Sequence, residues 1–185
     1  MRESDVLKRF IESGVLPGIW FLEVPVGFEI AYKKAMAERA EWREFEFNKV
    51  LDLYSVMTKR IDAVCIRAYQ NAIKPRIPLR YWLEMYRNPR LNPFFGRKVW
   101  LIEAKPRLMS DQAFAAIGQL IYYEHHFERD WKGVVEAKAI VYGDGMDEVT
   151  AEVVKAIKAK LGIITWHVSE EGRVTLIDGE ETPTG

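Results

Sequence analysis

Residues 99–105 read VWLIEAK. Four apolar side chains lead into Glu103 and Lys105, with one alanine between them. So short and β-branched an apolar run suits a buried strand. Side chains alternate along a strand, so Val99, Leu101, Glu103 and Lys105 are expected on one face, the last two about 6–7 Å apart. An apolar strand that carries a carboxylate and an ammonium needs an explanation, because buried charge is costly unless it is paired or used.

Upstream, KRIDAVCI (residues 59–66) sets Asp62 inside a second apolar run, although aspartate is a poor strand former. Downstream, Ser110 is placed to cap a helix running to about Phe127. On it, Gln112, Ala116, Gln119 and Tyr123 share one face.

Further out, the pattern predicts a helix from Ser4 to Ser13, a strand from Ile19 to Val26, a charged helix from Glu29 to Glu44, and, within Val50–Arg67, an extended stretch whose buried part is Ile61 to Ile66. Beyond the central helix come a strand from Val134 to Tyr142, a turn at Gly143–Gly145 and an amphipathic helix from Asp147 to Leu161 that Gly162 stops. A hairpin pairs Ile163–Val168 with Arg173–Ile177, and GEETPTG (residues 179–185) is expected to fray. Alternating helices and strands make an α/β fold with a mixed sheet flanked by helices. The chain of 185 residues fits a single domain, 1–185.

Composition narrows the function. Hydrophobic residues make up 49% and charged residues 29%, ordinary for a globular protein. The charged fraction and sparse amides suit a thermophilic protein. Zero net charge excludes a general polycation, so a nucleic-acid partner would need a local basic patch. The lone Cys65 excludes an intramolecular disulfide and a cysteine zinc cluster. A charged amphipathic start, unlike a signal peptide, and the lack of an apolar run near ~18 residues lead us to expect a cytoplasmic protein with no membrane partner.

RIDAV, then an apolar strand ending in EAK, then a helix carrying Gln119 and Tyr123 resembles the PD-(D/E)XK, or restriction-endonuclease-like, nuclease superfamily. The glutamine–tyrosine spacing is similar to its RecB-like branch. The resemblance implies a restriction-endonuclease-like mixed β-sheet flanked by helices, and metal-dependent hydrolysis of DNA phosphodiester bonds. It implies Mg²⁺ or Mn²⁺ held by Asp62, Glu103 and the Ala104 carbonyl. Lys105 would position the attacking water and Gln119 would support the site, with Tyr123 as an accessory. Isoleucine rather than proline precedes Asp62. An early acidic residue is also implied; Glu12, Glu23 and Glu29 are candidates, with Glu23 preferred as a charge inside the apolar strand FLEVPVG.

A second EAK, Glu136–Lys138, reads better as a solvated cross-strand charge pair. Residues 67–98 form an insertion with four prolines (Pro75, Pro78, Pro89 and Pro93). It is expected to be loop with a short helix around Tyr81–Tyr86. Arg76, Arg80, Arg87 and Arg90 would neutralise phosphates, and the interleaved rings would stack on bases. Otherwise those rings form a satellite core or a homodimer contact. For Asp62, Glu103 and Lys105 the competing readings are a structural ion-pair network, a catalytically silent nucleic-acid-binding or assembly protein on the same fold, and a two-carboxylate glycosidase. Lys105 argues against the last, because a neighbouring cation lowers the pKa a proton donor needs raised.

Overall fold

A computed structural model describes residues 1–38 and 47–177. Its helices are α1 (Glu3–Glu12), α2 (Phe28–Glu38), α3 (Phe47–Met57), α4 (Leu79–Arg87), α5 (Ser110–Trp131) and α6 (Glu148–Leu161). Its strands are β1 (Gly18–Val26), β2 (Lys59–Arg67), β3 (Ala72–Ile73), β4 (Lys98–Leu108), β5 (Val134–Met146), β6 (Ile163–Val168) and β7 (Val174–Leu176). The fold is mixed α/β. Seven strands form one sheet in the order β3-β1-β2-β4-β5-β6-β7. β2 runs antiparallel to both β1 and β4, whereas β4, β5 and β6 are parallel.

One layer packs on each face of the sheet. α1 presents Val6, Leu7, Phe10 and Ile11 as an apolar stripe against Trp20, Cys65, Ile102, Val141 and Trp166. The opposite face is covered by α5 with parts of the remaining helices, through residues such as Leu120, Phe127 and Trp131. α5 follows β4 and returns the chain to β5, the crossover that parallel neighbours require. Asp147 caps α6 by accepting the Thr150 amide at 2.7 Å, and Gly162 closes it at φ 64°. No helix among the described residues is long and apolar enough to cross a membrane.

Several boundaries differ from the expectation. The extended stretch within Val50–Arg67 is β2, and residues 50–57 ahead of it are helical: Val50 and Tyr54 are core residues spaced i, i+4, a helical period. Gly143–Gly145 does not turn; it continues β5, where Asp144 pairs with Arg107. α1 begins at Glu3 with Arg2 in the capping position, so Ser4 lies inside the helix. The expected part of a helix beyond Glu38 and the terminal segment 179–185 fall outside the described residues.

In the insertion, α4 and the short β3 interrupt the loop. Trp82 and Phe94 are buried and Tyr86 half-buried. Trp82 and Phe94 stack on each other at 6.1 Å, and Tyr86 stacks on Phe28 at 5.0 Å. These rings belong to the main core on that face of the sheet rather than to a satellite cluster. Tyr69, Tyr81 and Phe95 are the exposed aromatics of the segment.

Candidate active site

The ladder between β2 and β4 closes at Ala63 opposite Ile102. Beyond it the Asp62 carboxylate, not a main-chain carbonyl, accepts the Ala104 amide at 2.8 Å. A side chain thus fills the place of a ladder bond, and Asp62 comes to stand next to Glu103 where the two strands part. α1 packs over this end of the sheet and supplies Glu3. One carboxylate oxygen from each of Glu3, Asp62 and Glu103 lies within 4.8 Å of the others.

Lys105 completes the cluster. Its Nζ donates to Glu103 Oε1 at 2.6 Å and to Glu3 Oε1 at 3.4 Å. Glu103 is only 1% exposed, and its Oε2 is buried with no hydrogen-bond partner. A buried carboxylate oxygen left bare is expensive. Hard oxygen donors this close together are the donor set a divalent cation takes, and a cation would satisfy that oxygen. The residues present therefore fit a metal ion.

The electrostatics agree. Burial, followed by the Asp62 charge, pushes the Glu103 carboxyl well above its ordinary range. Burial likewise raises Asp62, against the opposing effect of the Ala104 amide. Lys105 is raised as well: burial pulls its pKa down, but its Coulomb attraction and hydrogen bond to Glu103 outweigh that, with Glu3 and Asp62 adding to them. Like charges held together out of water resist ionising together, and a bound cation would reverse this.

Tyr123 is buried on α5, and its hydroxyl pKa is raised by burial and then by the nearby Glu103 charge. The Gln119 amide donates to that hydroxyl at 3.4 Å, so Gln119 is engaged with Tyr123 and makes no hydrogen bond to the carboxylates among the described residues. A cavity of about 480 Å³ opens beside Asp62 and Ala104. Leu7, Ile11 and Leu22 form apolar wall, and Lys8 and Arg76 bring cations to it.

Of the three candidate early acids, Glu12 and Glu23 line this cavity, but the residue that joins the cluster is Glu3. Glu23 instead binds Arg60 at 3.3 Å and Arg76 at 2.5 Å. Glu29 lies elsewhere, paired with Arg129 and, at 2.8 Å, with Lys33. Glu3 looks from sequence like an ordinary first-turn acid favoured by the helix dipole; only the docking of α1 reveals its place. The second EAK is peripheral. Glu136 pairs across to Lys98 at 3.6 Å, and Lys138 reaches Glu124 on α5.

The four arginines of the insertion separate. Arg76 stands at the cavity, held by Glu23. The Arg80 guanidinium lies 4.5 Å from the Tyr81 ring centroid. Arg87 and Arg90 are exposed. Comparison with family models, with curated proteins and with solved structures finds no match for this chain.

Proposed function

We propose that this chain is a divalent-cation-dependent nuclease that hydrolyses DNA phosphodiester bonds, built as the PD-(D/E)XK resemblance implies and working in the cytoplasm. The observation that carries the reading is the convergence of Glu3, Asp62 and Glu103 on one point with the Lys105 ammonium beside them. Ion-pair networks also gather charge, but such a network leaves no buried carboxylate oxygen bare, and Glu103 Oε2 is bare.

Asp62, Glu103 and Glu3 would hold Mg²⁺ or Mn²⁺. The Ala104 carbonyl leaves the strand on the same edge as the amide that Asp62 accepts, so it is available as a neutral ligand. The cation, when bound, supplies Lewis acidity to the scissile phosphate. The chain's own residues do the rest. Lys105 orients the attacking water and balances the charge that grows on the phosphate oxygens. Water adds to phosphorus as the phosphorus–oxygen ester bond breaks; the attacking water gives up a proton to solvent and the departing oxygen takes one from solvent, leaving a phosphomonoester and an alcohol. Gln119 holds the Tyr123 hydroxyl, which lies close enough to Glu103 to feel its charge. Arg76 and Lys8 line the cavity and would meet the phosphate backbone by exchanging their present partners, Glu23 and Glu12, for phosphate oxygens.

The test is cleavage of labelled single-stranded, duplex and branched DNA with Mg²⁺ or Mn²⁺, for wild type and Glu103→Ala in parallel. Metal-dependent cutting that the variant loses is the expected result. DNA binding without cutting by either protein would overturn the nuclease reading in favour of a silent binding protein.

A further inference from the structure

The ends of α2, α4 and α5 enclose a second cavity of about 630 Å³, inside the range of small-molecule sites. Its own carboxylates are already engaged. Asp130 accepts three main-chain amides, from Gly27, Phe28 and Glu29. Glu29 is held by Arg129 and Lys33. Arg87 and Lys132 also line the cavity, and neither makes an ion pair with a described residue. Among the described residues the cavity therefore carries more positive than negative charge.

Rings stand next to that charge. Phe95 is 58% exposed and Tyr32 46%, and both line the cavity with Tyr86. Exposed aromatics beside exposed cations are the combination that holds a nucleotide, with phosphate on the cations and base on the ring. Lys132 adds a second sign. It terminates α5 in the left-handed region, at φ 54°, where glycine is the usual residue. Keeping a lysine there costs backbone strain, and strain in a non-glycine residue accumulates at functional positions.

The geometry points to a second nucleic-acid site, separate from the carboxylate cluster, that takes an unpaired stretch of DNA with phosphates on Arg87 and Lys132 and a base against Phe95. A paired strand keeps its base faces covered and cannot offer one to Phe95. That the strand is DNA rests on the nuclease reading; the cavity, its charges and its rings do not.

The experiment is fluorescence anisotropy of a labelled oligothymidylate, and of a blunt duplex of equal length, in EDTA so that no cutting occurs. Phe95→Ala should weaken the single strand by about tenfold and leave the duplex unchanged. Arg87→Ala with Lys132→Gly, which removes both charges and suits the left-handed backbone, should flatten the salt dependence by about 0.7 per cation lost. Thermal melting confirms that the variants fold. Single-strand binding unchanged in both variants, or an equal loss on the duplex, overturns the proposal. Wild type that binds through this site but never cuts with Mn²⁺ removes the nuclease reading and leaves the site standing. Wild type that cuts while Phe95→Ala binds normally does the reverse.

Discussion

Glu23 stands opposite Asp62 in the β1–β2 ladder, and both strands lose their side-chain alternation at that step. Leu22 faces Ala63 and Val24 faces Ile61. Phe21 and Val24 nonetheless enter the same core, as do Ile61 and Val64, although residues three apart on a regular strand point to opposite faces. Glu23 accomplishes this with φ 53°, a left-handed conformation that glycine adopts freely and other residues adopt at a cost of roughly 1–3 kcal/mol. The kink lets Ile61 stay in the core while Asp62 turns toward Ala104.

A prediction follows from that conformation. Glu23→Gly should keep Mn²⁺ affinity within about threefold, because glycine holds a positive φ without strain. Glu23→Val should weaken it by about tenfold or more, since a β-branched residue resists that backbone and would straighten the strand under Asp62. Calorimetric titration with Mn²⁺ decides. Equal affinities for the two variants would mean that the kink does not position Asp62.

Lys105→Ala should separate binding from chemistry. Removing the ammonium takes away stabilisation of the charge that develops on the phosphate, worth about 10²–10³ in rate for comparable donors. It also frees Glu103 Oε1, so Mn²⁺ should bind at least as tightly as to wild type. Turnover and calorimetry on the same preparation test this. Retained cutting would remove Lys105 from the mechanism.

The carboxylate pair should make metal-free stability fall with rising pH. Asp62 and Glu103 hold protons more readily folded than unfolded. The protein is thus least burdened below the ordinary carboxylate range and loses stability as pH climbs from there toward and past neutrality. Glu29 acts in the opposite window: Arg129 and Lys33 hold it down to about 2, so its contribution disappears on acidification toward that value. Melting curves in EDTA from about pH 5 to 8.5 should show wild type falling relative to Asp62→Asn/Glu103→Gln. Saturating Mn²⁺ should remove the difference in slope. Parallel curves without metal would refute the coupling.

Asp130→Ala should destabilise the fold by about 2–4 kcal/mol, because three buried or half-buried amides lose a charged acceptor at once. Asp130→Asn, which keeps one acceptor oxygen, should cost about half as much. Urea unfolding with tryptophan fluorescence measures both. A loss under about 0.5 kcal/mol, the level of a neutral surface change, would show that water replaces the carboxylate.

What the sequence disclosed was chemistry in the wrong setting. Asp62, Glu103 and Lys105 were visible because charge stood inside apolar strands, and the structure brings all three together. Glu3 was invisible for the opposite reason: an acid in the first turn of a helix is where an acid belongs, so nothing local marks it. The kink at Glu23 leaves no trace in residue type, since glycine would have announced it and glutamate does not. Where the extended stretch within Val50–Arg67 begins is not legible, because Val50, Leu51, Leu53 and Tyr54 satisfy both periods over so short a window. The rings of the insertion divided between core and surface according to tertiary packing, which composition does not encode.

The grip of Asp130 on residues 27–29 has a kinetic meaning. A turn between a strand and a helix ordinarily opens by itself and lets its amides exchange with solvent in a local fluctuation. Here the acceptor sits near the end of α5, next to Trp131, whose indole also donates to the Pro25 carbonyl at 2.9 Å. The turn cannot open unless the end of α5 lifts from the sheet, and α5 carries Tyr123 behind the carboxylates. The amides of Gly27, Phe28 and Glu29 should therefore exchange at the rate of global unfolding, making this junction and the floor of the active site one cooperative unit.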